Sequence, residues 1–167
     1  MNTPISQIQQ VVRLTLFDMG MHSESAERLI MGTGAVESKF KYLMQVGGSN
    51  LARSWFQIEP ETGIDNIVNY LKYRKSRWAK IQHTTGCPDD MIDMDFKTTV
   101  EEGKMIWTLT TNISFAVAMC RIKYWRVPKR LPKVDDVEGM GKYWLKYYNA
   151  GGKGSMDKWM EAQELLK

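Results

Sequence analysis

The 167-residue chain predicts a mainly α domain, α+β only through one small strand pair beside a cleft, with residues 1–167 as a single unit. Three observations carry this. Apolar residues recur at three-and-four spacing over most of the length. Ser23, Asn112 and Ser155 stand where a side-chain oxygen can cap the run that follows, and glycines or prolines close several runs. One stretch, Ser54–Ile58, reads as extended, after the loop Gln45–Ala52 with its turn residues Gly47, Gly48, Ser49 and Asn50.

The first helix runs from Thr3 to Met19, on Ile5, Ile8, Val12, Leu16 and Met19, and Gly20 ends it. A second starts at Ser23, with Glu24 and Glu27 suited to its positive N-terminus. At about 100° per residue, Ala26, Ile30, Thr33 and Glu37 fall on one line of that helix, so Glu37 projects from its buried face. Pro60 suits the first turn of a third helix, whose apolar stripe continues to Gln82. A polar loop from Gln82 to Met94 follows, then a helix from Asp95 to Thr108 interrupted by Gly103. Ile113–Trp125 is apolar on nearly all sides and is expected to be the central helix. Pro128 and Pro132 break the chain before a helix from Asp136 to Tyr148, stopped by Gly151 and Gly152, and a last one from Ser155 to Leu166.

Apolar residues make up 43% and charged residues 25% of the chain, ordinary globular usage that excludes a disordered or membrane-embedded class. No membrane span and no secretory signal are found, so the expected substrate is reached by other means. The net charge of +4 is modest, despite basic clusters at Lys72–Lys80 and Arg121–Lys133. It is read as surface charge, with no nucleic-acid partner expected. Cys120 lies in an apolar run and Cys87 in a polar loop, and both are expected as free thiols. His22 and His83 are too few and too far apart for zinc, and Asp89–Asp95 lacks the glycine and closing glutamate of a calcium loop, so neither metal nor cofactor is expected. Trp55, Trp107, Trp125, Trp144 and Trp159 read as core or groove residues, while Trp78, among Lys75, Arg77 and Lys80, is placed to touch an anion.

A carboxylate left ionised in an apolar setting is costly, so Glu37 needs either a partner or a task. Glu59 stands beside the N-terminus of the third helix, where the dipole and free amides favour a charged carboxylate. A pair so divided suits glycosidic cleavage. The leaving oxygen must receive a proton from an acid kept neutral by burial, and a second carboxylate steers water, attacks, or stabilises positive charge.

The segments AVES, Ala35–Ser38, and SWFQIEPET, Ser54–Thr62, resemble the catalytic core of the lysozyme superfamily, in particular soluble lytic transglycosylases and goose-type lysozymes. The resemblance implies that Glu37 is the catalytic acid and Glu59 a second catalytic carboxylate. It implies substrate-binding roles for Ser38, Gln57 and Thr62. Tyr-Asn-Ala-Gly at Tyr148–Gly151 resembles a third family element, which places Tyr148 and Asn149 in the sugar cleft, with Tyr124 as the other counterpart for the cleft tyrosine. Ser54 and Trp55 depart from the usual Gly-Leu, which implies a narrower or tilted cleft floor, and Trp55 is the aromatic expected against a sugar face. The segments YWRVPKRLPKVDD and GKYWLKYYNAGGKGS resemble those of small tailed-phage proteins carrying lysozyme-like domains.

The expected function is therefore cleavage of the β-1,4 bond between N-acetylmuramic acid and N-acetylglucosamine, by hydrolysis or by anhydro-ring formation. Peptidoglycan glycan strands are the expected partner, together with other virion proteins. The expected location is the host cytoplasm during synthesis and then the virion or the cell wall. The alternative is an inactive lysozyme-like virion or wall-binding protein.

Overall fold

The run Ile113–Trp125 (α6) is the centre of the molecule: Phe115 to Cys120 have no measurable exposure. In the computed structural model, which describes residues 3–48 and 50–167, seven further α-helices surround it. They are α1 (Ile5–Asp18), α2 (Glu24–Ser38), α3 (Pro60–Val68), α4 (Lys75–Thr85), α5 (Thr99–Thr111), α7 (Val137–Tyr147) and α8 (Met156–Gln163). Helices α1 to α5 pack directly on α6, and α8 bridges α2 and α7. All eight contribute to one continuous apolar core. Among the described residues, no single helix is long and apolar enough to cross a membrane.

The expected caps form. Ser23 Oγ accepts the Ala26 amide at 3.1 Å, Asn112 Oδ1 the Phe115 amide at 2.9 Å, and Ser155 Oγ the Lys158 amide at 3.3 Å. Asn112 also donates to Thr85 O at 2.7 Å, tying the end of α4 to the start of α6.

Four expectations are corrected. The helix expected from Pro60 to Gln82 is broken: α3 ends where Asn69 Nδ2 turns back to Asp65 Oδ1 at 2.7 Å, and a 3-10 turn, Leu71–Tyr73, precedes α4. Side chains of this kind compete with the helix for local hydrogen bonds, and the break lets Leu71 and Ile81 as well as Ile67 reach the core. Gly103 does not interrupt α5, which starts later than expected because Thr98 and Glu101 form a capping box. Trp78 is buried, so it touches no surface anion, and Trp107 is instead exposed; the expected loop position of Cys87 and the free state of both cysteines hold. The strand pair is reduced to isolated bridges, Met44 with Arg53 and Arg53 with Ile58. The physical cause is Ser54 and Gln57, which both take positive φ, +65° and +47°, and convert the expected extended piece into a tight turn closed by Arg53 and Ile58. Ser49, expected in the preceding turn, lies outside the described residues.

Candidate active site

Helix α2 ends abruptly, and the way it ends aims Glu37. Lys39 and Phe40 both adopt left-handed backbone, φ +53° and +55°, which folds the Phe40 ring back onto Gly34. A Cβ at Gly34 would stand 2.3 Å from Phe40 Cε1, so only glycine permits this return. Ser38 Oγ donates to Trp55 O at 2.7 Å and accepts the Phe40 amide at 3.1 Å, fastening the helix end to the Ser54–Gln57 turn. One residue earlier on the helix, Glu37 faces a groove of about 690 Å³.

Of the residues expected at the site, Glu37, Gln57, Glu59, Thr62, Tyr148 and Asn149 line this groove together. The chain reaches it from α2, the turn at 54–57, the start of α3 and the segment after α7. Glu59 is the N-cap residue of α3, exposed and making no side-chain cap bond, so its carboxylate is free to face the groove. Gln57 Nε2 donates to Ser54 O at 2.9 Å, holding the side chain against its own turn.

Three expected residues lie elsewhere. Ser38 is buried and has the fastening role just given. Trp55 is turned away, its ring edge-on to Phe40 with centroids 5.8 Å apart, because the tight turn reverses the direction an extended strand would have given it. Tyr124 is fully buried, with its hydroxyl 2.7 Å from Thr33 Oγ1. Thr33 spends its single proton on Leu29 O at 2.8 Å, so Tyr124 is the donor of that pair. Tyr148, which lines the groove, stacks on Tyr124 with ring centroids 5.2 Å apart, so Tyr124 supports it from beneath.

The electrostatics of Glu37 follow from its neighbours. Burial raises its pKa above the ordinary value, while hydrogen bonds from Trp144 and Asn149 and the charge of Lys123 oppose the rise without cancelling it. Trp144 Nε1 donates to Oε1 at 2.9 Å, and Asn149 Nδ2 approaches the same oxygen at 3.4 Å. Asn149 is oriented for this because its Oδ1 accepts the Gly154 amide at 2.9 Å. Both donors meet Oε1, which leaves Oε2 as the oxygen to carry a proton. Such an acid can protonate an oxygen of a molecule lying in the groove, and Glu59 can then hold a water or stabilise positive charge.

Three residues beside Glu37 or in the groove were not expected there. Trp144, on α7, is buried against Trp159 with ring centroids 5.6 Å apart, and only the pairing of α7 with α2 reveals its indole as the partner of Glu37. Lys123 lines the groove from α6, donating to Tyr148 O at 2.9 Å with Nζ 4.3 Å from the centre of the Tyr148 ring. A lysine in the last turn of a largely apolar helix was the available signal. Tyr42, 49% exposed, also lines the groove and offers the aromatic face that Trp55 does not. Among the described residues, no three His, Cys, Asp or Glu side chains are placed to hold a metal ion. Set against known proteins, the chain matches no protein-family model, no curated protein and no solved structure.

Proposed function

We propose that this protein is a peptidoglycan glycosidase, a lysozyme or lytic transglycosylase, that cleaves the β-1,4 bond between N-acetylmuramic acid and N-acetylglucosamine. One observation carries the proposal: a desolvated carboxyl, Glu37, with one oxygen unpartnered, borders a groove that Glu59 also borders. Glu37 gives its proton to the glycosidic oxygen as the bond to the muramyl C1 breaks, and positive charge grows on that ring. Glu37, now a carboxylate, takes a proton back. If Glu59 positions a water, the water oxygen bonds to C1 and the product is a reducing sugar. If the muramyl C6 hydroxyl attacks instead, the ring closes to an anhydro sugar. Tyr42 supplies an aromatic face for a pyranose. By its resemblance to tailed-phage proteins, the chain reaches the wall in a virion or through a separate pore.

Mass spectrometry of digested muropeptides distinguishes the two products, which differ by one water; an intact polymer after prolonged digestion would remove the proposal. A zymogram of the native chain beside Glu37→Gln tests the acid. Clearing by the native chain alone supports Glu37. Equal clearing excludes it, and glycan binding with no clearing by either protein identifies a wall-binding virion protein.

A further inference from the structure

A half-buried ammonium is as much in need of explanation as a buried acid. Lys123 has one hydrogen bond, to Tyr148 O at 2.9 Å, and is seated over the Tyr148 ring. Among the described residues it has no ion pair, although Glu37 and Glu59 both lie near enough to act on its charge. An ammonium has three donors, so two N–H groups remain, on a side chain whose position is already fixed by its contact with Tyr148.

Lys123 also stands at a junction. The groove is continued by a second cavity of about 620 Å³, and the two share Glu59, Thr62 and Lys123 along their common border. The cation of the second cavity, Arg126, is already used by Asp65 and Asn66. Among the described residues, Lys123 is thus the cation left open where a polymer passing from one cavity to the other must cross.

We propose that Lys123 binds an anionic substituent of the glycan itself, the free lactyl carboxylate of muramyl units from which the peptide stem has been removed. This rests on the glycosidase function proposed above. The sugars of the strand are otherwise uncharged, and a lactyl group still joined to its stem is a neutral amide. Charge-assisted hydrogen bonds from an ordered ammonium therefore favour the stripped strand. The reaction that must supply this substrate is hydrolysis of the amide between the lactyl group and the stem, so the protein acts after an amidase.

The test compares kcat/KM on two polymers from one preparation, intact stem-bearing strands and strands stripped with a lactyl-alanine amidase, at low and high salt. The native chain is expected to favour stripped strands about tenfold, the value of one good charged hydrogen bond. The preference should shrink as salt rises. Lys123→Met should bring the ratio to about one, and Lys123→Arg should retain part of it. The ratio is taken within each protein, so a general loss of activity cancels. A native ratio of one or less, or an unchanged ratio in Lys123→Met, overturns the inference while leaving the glycosidase in place. Failure of the native chain to cut either polymer overturns both.

Discussion

Replacing Glu37 with glutamine separates the cost of burying this acid from its use. The amide conserves volume and keeps an acceptor for Trp144 Nε1 and Asn149 Nδ2, which meet Oε1 at 2.9 and 3.4 Å. What it removes is the titrating proton. Loss of a general acid lowers turnover about 10²–10⁴-fold. Stability moves the other way. Burial raises the pKa of Glu37 above its unfolded value, so the folded state binds more protons than the unfolded state between the two values. The stability of the native chain is then complete below the unfolded value, near 4.3. It falls by about 1.4 kcal/mol for each pH unit through the window and levels off above the folded value. Glutamine suffers no such loss, so the advantage of Glu37→Gln should grow as pH rises from about 4.3. For a chain of this size each kcal/mol is worth about 2–4 °C in Tm. Urea denaturation of both proteins from pH 4 to 8, beside turbidity assays on purified peptidoglycan, measures the two effects together. A variant that loses stability against the native chain as pH rises, or that clears peptidoglycan at the native rate, would refute the reasoning.

Three further outcomes are expected. The charge of Lys123 opposes the rise in the Glu37 pKa; an acid must be protonated to act, so Lys123→Met should move the alkaline limb of the pH–rate profile to higher pH, and a move to lower pH would contradict the assignment. Burial pushes the pKa of Glu27 up, but hydrogen bonds from Arg13, His22 and Gln9 more than reverse this and bring it to about 2. Its stabilisation is complete above the ordinary carboxyl range and lost as pH falls through about 2. Glu27→Gln should therefore cost about 2 kcal/mol at pH 7 and almost nothing at the acid extreme, as read from urea midpoints at both ends. Tyr148→Phe leaves Phe56 O without the hydroxyl that donates to it at 2.8 Å, and an unsatisfied buried carbonyl should cost about 1–3 kcal/mol in thermal unfolding.

The helices were legible because their signals are local. Ser23, Asn112 and Ser155 act within three residues of themselves, and the apolar run of α6 needs no partner to be recognised as central. The turn at Ser54–Gln57 was not legible. Positive φ at two residues other than glycine is imposed by the surrounding contacts, among them the bond from Ser38 Oγ to Trp55 O. That one misread turn also misplaced Trp55, because reversing a chain direction moves its side chains to the other face. Tyr124 and Tyr148 were both in view as the cleft tyrosine, and which of the two lines the groove depends on which ring lies beneath the other.

Glu27 and Glu37 show what a helical pattern leaves undecided. Both sit on α2, Glu27 buried and Glu37 half-buried, and desolvation pushes both toward the neutral form. They diverge through what meets the carboxylate. At Glu27 the Arg13 guanidinium donates to both oxygens at 2.8 Å, with Gln9 and His22 completing the shell. At Glu37 the donors are neutral, an indole and an amide, and both fall on one oxygen. A guanidinium in direct contact holds a carboxylate charged and occupied, whereas two neutral donors on Oε1 leave Oε2 open to the groove. Trp144 and Asn149 lie more than a hundred residues from Glu37 in the chain, so the difference between an ion-paired carboxylate and one whose pKa is raised is fixed by the docking of α7 and the segment after it. Lys123 marks the limit of this arrangement. Moved close enough to pair with Glu37, it would recreate the environment of Glu27; anchored instead on Tyr148, it only opposes the upward shift of the Glu37 pKa without cancelling it.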